Sequence, residues 1–513
     1  MGEVKAAAYG DFSILDLHAD MEDYDSGEAE VFYQDLNLLQ IIDRVSVKWG
    51  KSVKKYFMHL PKTAEEVAYR RSVYGDVKKD TVYTALTAFT GKIAEVEKLR
   101  EEMHKAYGEM QKAVWWIREA EVYFSAYKEL AGELEKADLE SSLSEFLGIV
   151  RNILNSETYR TMLEETQGIL AEIRKLRFTV TYDKDRMSVA LKETEDGETY
   201  GARLNIEESS DDAQFTNPFV AGSAITELEN ACIEVLRKKK PAFFRKLNEL
   251  SQQLTQRAEQ YDVPVFTRFE QEIRFYLSFC SLQREMEQAG FVFAEPTIRR
   301  SGRMEAEGLY DLALALTSIG RGGKVVANDF YLDPAEQFFV LTGPNQGGKT
   351  TFARSLGQLV FFAKLGLDVP AKSATVLFFP RILTHFSVEE SVETGRGKLM
   401  DELVRLAPMM ESTGGSSFVV INELFTTAAS YDAVIMGKRV LDHFIELGHK
   451  GIYVTHLKEL ADACEGVVSL RAMLDDRGIQ TFEIRRGQSD DTACAENQVK
   501  KYRLTYEQLK ERL

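Results

Sequence analysis

Apolar positions in the first half of the chain recur at helical spacing. In "DLNLLQIIDRV" (Asp35–Val45) they stand three and four apart, which predicts an amphipathic helix. From about Thr63 to Arg177 the chain is rich in Glu, Lys, Ala and Leu and poor in breakers. The stretch Glu97–Ala137 holds two glycines and no proline and predicts one long helix, suited equally to a packed bundle and to a projecting lever. At Arg177 the period shortens to two. "FTVTY" and "MSVAL", with a charged turn between them, predict a β-hairpin inside 177–206. Helices resume near Ser223 and run to about Gln288, broken at Pro241 and around Pro264.

After "YDLALAL" (Tyr310–Leu316) the pattern changes again. "FFVLTG", "FVVIN" and "GIYVTH" are short continuous apolar runs, the kind that strands buried on both faces require, and helical stretches separate them. The fold expected is an α/β C-terminal nucleotide domain preceded by a mostly α-helical core or lever body with a small β insertion. Its boundaries are expected as an N-terminal segment 1–60, a helical body 61–305 with the hairpin near 177–206, and the α/β domain 306–513. No internal repeat is visible.

Composition narrows the classes. The formal net charge is −17, so the overall field repels nucleic acid, and contact with it would need a local basic patch. One such stretch is "RKKKPAFFRK", comprising Arg237, Lys238, Lys239, Lys240, Arg245 and Lys246 around two phenylalanines. It reads either as a solvated helix end or as a nucleic-acid patch. The four cysteines, Cys232, Cys280, Cys464 and Cys494, have no C-x-x-C spacing, which argues against a zinc site or disulfide framework and suits a reducing cytoplasm. The longest apolar run, "LVFFAKLGL" from Leu359, is interrupted by Lys364. The first residues lack the layout of a signal peptide. No membrane association is expected.

The chemistry is concentrated after residue 340. Gly343, Pro344, Asn345, Gln346, Gly347, Gly348, Lys349 and Thr350, followed by Thr351, satisfy G-x-x-x-x-G-K-[ST] between a predicted strand and a predicted helix. Glycines let successive backbone N–H groups turn toward phosphates, and the helix offers its N-terminus to the same anion. ATP with Mg²⁺ is the expected ligand pair. Lys349 would reach the β- and γ-phosphates, and the Thr350 hydroxyl would bind the metal. Glu423, at the end of the strand Phe418–Ile421, is the candidate water-activating base. His456, at the end of another strand, could touch the γ-phosphate.

Five segments then fall in order: "TGPNQGGKTT", "GLDVPA" (Gly366–Ala371), "ETGRGKLMDEL" (Glu393–Leu403), "VVINELFTTAASYD" (Val419–Asp432) and "YVTHLKEL" (Tyr453–Leu460). Together they resemble the ATPase domain of the MutS family. The resemblance implies an ABC-type P-loop ATPase acting as a homodimer. Each nucleotide would lie between one subunit's phosphate loop and the other's signature loop, here Gly395, Arg396, Gly397 and Lys398. It implies that Glu423 polarises the water, that His456 senses the γ-phosphate, and that nucleotide state opens and closes helical arms on DNA. Departures are visible. Asn422 stands at the family's metal-side aspartate, beside Thr350 in the metal role. Gly397-Lys398 replaces the family's Ser-Thr, "FTTAAS" its "GRGTST", and Val325 its adenine-stacking aromatic. The family's mismatch-reading domain and its Phe-x-Glu wedge have no counterpart in the residues before the helical body. Its DNA clamp is reduced to the hairpin near 177–206, followed by "EESSDD".

The function expected is a slow ATPase that drives a dimeric clamp or switch on structured or branched DNA. It would be related to mismatch repair or recombination without reading mismatches directly. The alternative is a nucleotide-dependent switch acting on a protein or ribonucleoprotein partner.

Overall fold

The computed structural model describes residues 12–17, 30–105, 109–183, 186–192, 227–261, 264–319, 325–387, 397–412, 416–462, 464–475, 477–488 and 510. The chain divides into two compact units: Met1–Ile14 with Asp76–Ile273, and Leu15–Gly75 with Arg274–Leu513.

The first unit is helical with one small hairpin. Where the sequence predicts one helix across 97–137, two form, Asp80–Lys105 and Glu109–Leu134. They pair antiparallel, since Lys92 bonds Glu129 while Arg100 bonds Glu119 at 2.7 Å. Phe89 meets Tyr127 edge to face at 4.9 Å. The reason is burial: Ile93, Val96, Ala113 and Ile117 lose their water in this pairing, which a single projecting helix would leave wet. The unit's centre is aromatic, with Phe146 stacked on Phe269 at 3.6 Å and Tyr127 on Phe266 at 4.0 Å. The hairpin consists of β1 (Arg177–Asp183) and β2 (Arg186–Lys192), antiparallel from Arg177↔Lys192 to Asp183↔Arg186. The acidic run "EESSDD" lies outside the described residues. Helix Glu227–Lys239 stops before Pro241, which opens helix Pro241–Tyr261, and Pro264 opens the next. Each proline sits where its missing N–H costs nothing.

The second unit holds two sheets. The smaller is ordered β3-β7-β4-β5, from β3 (Thr297–Arg299), β4 (Met304–Leu309), β5 (Asn328–Leu332) and β7 (Ser373–Leu377). The larger is ordered β12-β11-β6-β10-β9-β8. Its strands are β6 (Phe338–Thr342), β8 (Ile382–Phe386), β9 (Phe418–Asn422), β10 (Lys450–Val454), β11 (Val467–Leu474) and β12 (Gln480–Arg486). Only β12 runs antiparallel to its neighbour. Every residue of β6 and β9 is buried, as their unbroken apolar runs require. Phe338, Val340, Val419, Ile421 and Tyr453 pack on one face with Leu406 and Met409 of helix Lys398–Met410 and Val440, Leu441 and Phe444 of helix Ser430–Glu446. Helix Lys349–Lys364 packs against β9 and β10.

Residues 15–75 join this second unit, whereas the boundaries expected from sequence lie at 60 and 305. Leu36 occupies the notch at Gly357, where an added Cβ would stand 2.5 Å from its Cδ2. Tyr33 meets Phe361 edge-on at 5.7 Å, and Asp35 accepts from Thr384 at 2.7 Å. Among the described residues no helix is long and apolar enough to cross a membrane.

Candidate nucleotide site

Strand order assembles the site. β10 lies between β6 and β9, and Val454 pairs with Leu341 on one side and Asn422 on the other. The three parallel strands therefore end level, and the segments that follow them (343–351, 423 and 455–456) meet at one carboxyl edge of the sheet, where α/β proteins bind ligands.

The loop between β6 and helix Lys349–Lys364 is held by glycines where only glycine is comfortable. Gly343 has φ +130° and Gly348 φ +85°, both in the left-handed region. A Cβ on Gly347 would come 3.0 Å from the Pro344 carbonyl. Gly348 caps the helix, so the first N–H groups of that helix face the loop. Lys349 is only 5% exposed, and its Nζ donates to the carbonyls of Gly343 and Pro344, each at 2.9 Å. Burial pushes its pKa down, with the Glu423 carboxylate pulling the other way. The Thr350 hydroxyl donates to Asn422 Oδ1 at 2.9 Å.

Glu423 leaves β9 at φ +57°, its N–H donating to the Val454 carbonyl at 2.9 Å. Its Oε1 lies 3.1 Å from His456 Nε2. The hydrogen bond from His456 holds its carboxyl below the usual range, aided by the charges of Lys349 and Lys398 and opposed by burial. A cavity of about 440 Å³ opens here, lined among others by Asn345, Lys349, Thr350, Glu423, Asn328 and Phe482.

The phosphate loop, Asn422, Glu423 and His456 thus converge. Of the signature residues, Gly395 and Arg396 lie outside the described residues, while Gly397 and Lys398 open helix Lys398–Met410. Arg237, Lys238, Lys239, Lys240, Arg245 and Lys246 belong to the other unit and are all exposed; Arg237 pairs with Glu234 at 3.1 Å and lies 5.2 Å over the Phe244 ring.

Sequence reasoning missed the wall contributed by β12. Phe482 has φ +61°, and an added Cβ on Gly348 would be 3.4 Å from its ring. Gln480 donates to the Asn345 carbonyl at 3.0 Å, and Asn328 donates to the Phe482 carbonyl at 3.2 Å. The cavity is lined by Val326 rather than Val325, and Phe482 joins Tyr310 and Phe352 as its aromatic lining. No local pattern marks Phe482, because β12 reaches the loop only through β11. Among the described residues no group of three or more His, Cys, Asp or Glu side chains is placed to hold a metal. Thr350, Asn422 and Glu423 are oxygen donors, which suits a hard cation also held by phosphates.

Residues 339–489 match the family model described as MutS domain V. Proteins named "DNA mismatch repair protein MutS" are similar to the C-terminal part of the chain. The one from Thermosipho melanesiensis is 30% identical over 149 residues, 28% of this chain and 18% of that one. The one from Solibacter usitatus is 28% identical over 200 residues, 38% of this chain and 23% of that one. The one from Acetivibrio thermocellus is 30% identical over 175 residues, 33% of this chain and 20% of that one. The chain therefore matches less than a quarter of the length of each of these relatives.

Proposed function

We propose that this chain, whose C-terminal part is MutS-like, binds ATP with Mg²⁺ at the phosphate loop and hydrolyses it slowly. Its nucleotide state would set a homodimeric, ABC-type clamp or switch on structured or branched DNA, in a repair- or recombination-related role in the cytoplasm, without direct mismatch reading. The observation that carries this reading is the convergence of Lys349, the Thr350–Asn422 pair and the Glu423–His456 pair at one sheet edge.

Each residue has work in this reading. The loop N–H groups and the helix N-terminus take the phosphates, and Lys349 exchanges two carbonyl partners for phosphate oxygens. Thr350 and Asn422 would hold Mg²⁺, which when bound neutralises phosphate charge. An amide in place of a carboxylate weakens that hold, a loss of the kind that costs about 10–100-fold in affinity or activity. Glu423 orients the attacking water and takes up its proton, and His456 aims the carboxylate. The same hydrogen bond that keeps Glu423 ionised also weakens it as a base, which suits slow turnover. A second copy's Gly395–Lys398 loop would close over the nucleotide. The exposed cations from Arg237 to Lys246 would take the DNA backbone.

A switch acting on a protein or ribonucleoprotein partner is the second reading, favoured by the net charge of −17. The deciding experiment measures ATP turnover, together with binding of a branched duplex with and without ATP at two salt concentrations. Turnover with nucleotide- and salt-dependent DNA binding supports the DNA reading. Turnover without DNA binding, and with a stable protein partner on pull-down, supports the second.

A further inference from the structure

The turn that carries Glu423 is strained. Glu423 and Phe425 both hold left-handed backbone, at φ +57° and +62°, and neither is glycine. Such a turn persists only where its surroundings hold it. Three bonds do so here. The Glu423 N–H is fixed to β10 through Val454, and the Phe425 carbonyl accepts from Ala428 N–H at 3.2 Å. The third comes from a different element: the Phe425 N–H donates to Glu402 Oε2 at 3.1 Å.

Glu402 is an unusual group to find there. It lies on helix Lys398–Met410, which begins immediately after Gly397, and is only 4% exposed. Its second oxygen, Oε1, is buried and takes no hydrogen bond among the described residues. Burial pushes its carboxyl up, against the Phe425 N–H and Lys398. Its backbone carbonyl lies 3.2 Å from the Nε2 of His385, a buried side chain of β8. Phe425 itself is buried in the core beneath β9 with Leu424, Leu406 and Tyr453. An apolar side chain of similar size would fill this space without burying a carboxyl group. The carboxylate supplies what an apolar residue cannot, an acceptor for the N–H of the strained turn.

We infer that Glu402 is a positioning residue, tying the helix that follows Gly397–Lys398 to the turn that aims Glu423, so that the setting of this helix is passed to the base. The inference rests on the ATPase reading above. In that reading the Gly395–Lys398 loop faces the nucleotide of a second copy. Glu402 then links the part of the chain that senses the partner's nucleotide to the carboxylate that serves its own, through one side chain and one backbone N–H.

The test uses the full chain with two variants that separate reach from charge. Glu402→Gln keeps the length and an acceptor oxygen for the Phe425 N–H. Glu402→Asp keeps the charge and falls short by one methylene. Nucleotide binding is titrated with a fluorescent ATP analogue, and turnover is expressed per bound nucleotide, so a loss of folded protein lowers the number of sites but not the rate per site. The expected result is an about 10-fold drop for Glu402→Asp, with KM unchanged, while Glu402→Gln stays close to the parent. Equal rates in all three proteins overturn the inference alone. So does any result in which Glu402→Gln falls as far as Glu402→Asp, because charge rather than reach then matters. A parent protein that binds no nucleotide, or binds it without turnover, overturns the ATPase reading and this inference with it.

Discussion

Lys349 and Lys239 are the same side chain in opposite settings. Lys349 is buried, and its ammonium is held by two carbonyls in a loop whose shape depends on glycines at positive φ. Lys239 is exposed at a helix end among five other exposed cations. A buried ammonium with only carbonyl partners gains directly when an anion arrives. Exposed ammonium groups already have water, and each adds little except through released counterions. The difference teaches that charge alone does not make a site; convergence and desolvation do. By that standard the candidate site in the second unit is convergent and desolvated, and the cations around Lys239 are not.

Glu423→Gln should lower ATP turnover by about 10²–10⁴-fold while leaving ATP affinity near that of the parent. Steady-state hydrolysis with parallel nucleotide binding measures both, and unchanged turnover removes Glu423 from the role of base. Lys349→Ala removes two charge-assisted bonds to phosphate and should weaken ATP binding by about 100-fold or more. An ATP affinity near the parent's would show that the buried cation is not aimed at phosphate, and the contrast with Lys239 would collapse.

Neutralising Lys238, Lys239 and Lys240 together should weaken binding to a branched duplex and flatten its salt dependence, by about 0.9 in log–log slope for each DNA phosphate no longer neutralised. ATP turnover in the absence of DNA should be unaffected. An equal slope in parent and variant leaves the corner a solvated helix end. The smallest expected effect is that of Asn422→Asp. It places a carboxylate beside Thr350 and should lower, by about 10-fold, the Mg²⁺ concentration needed for half-maximal turnover. Superimposable Mg²⁺ titrations would mean that Glu423 already supplies the charge.

How much of this was legible before folding differs by element. The phosphate loop was visible because its whole design is local: one strand, one glycine turn and one helix start within a dozen positions. Glu423 and His456 could be named because buried parallel strands read as apolar runs, and each is the second polar residue after its run; Asn422 was named through the family resemblance. The hairpin at Arg177 and the breaks at Pro241 and Pro264 are local in the same sense, set by side-chain period and by a missing N–H.

Tertiary structure decided the rest. Composition cannot tell one long helix over 97–137 from two paired helices, since Glu, Lys, Ala and Leu serve both. The choice falls to burial of Ile93, Val96 and Ile117. The assignment of residues 15–75 to the second unit depends on Leu36 fitting the notch at Gly357, more than 300 positions away. Phe482 carries no signal in its own neighbourhood, and Glu402 lies inside the segment "ETGRGKLMDEL" with nothing local to show what its carboxylate binds. Phe482 reaches the glycine loop through the order of strands β6, β11 and β12, and Glu402 reaches the turn of Glu423 through a bond to a backbone N–H. Sequence by itself determines what the spacing of neighbours can encode. Which distant segments lie side by side is set by packing, and the walls and supports of this site are made of such pairs.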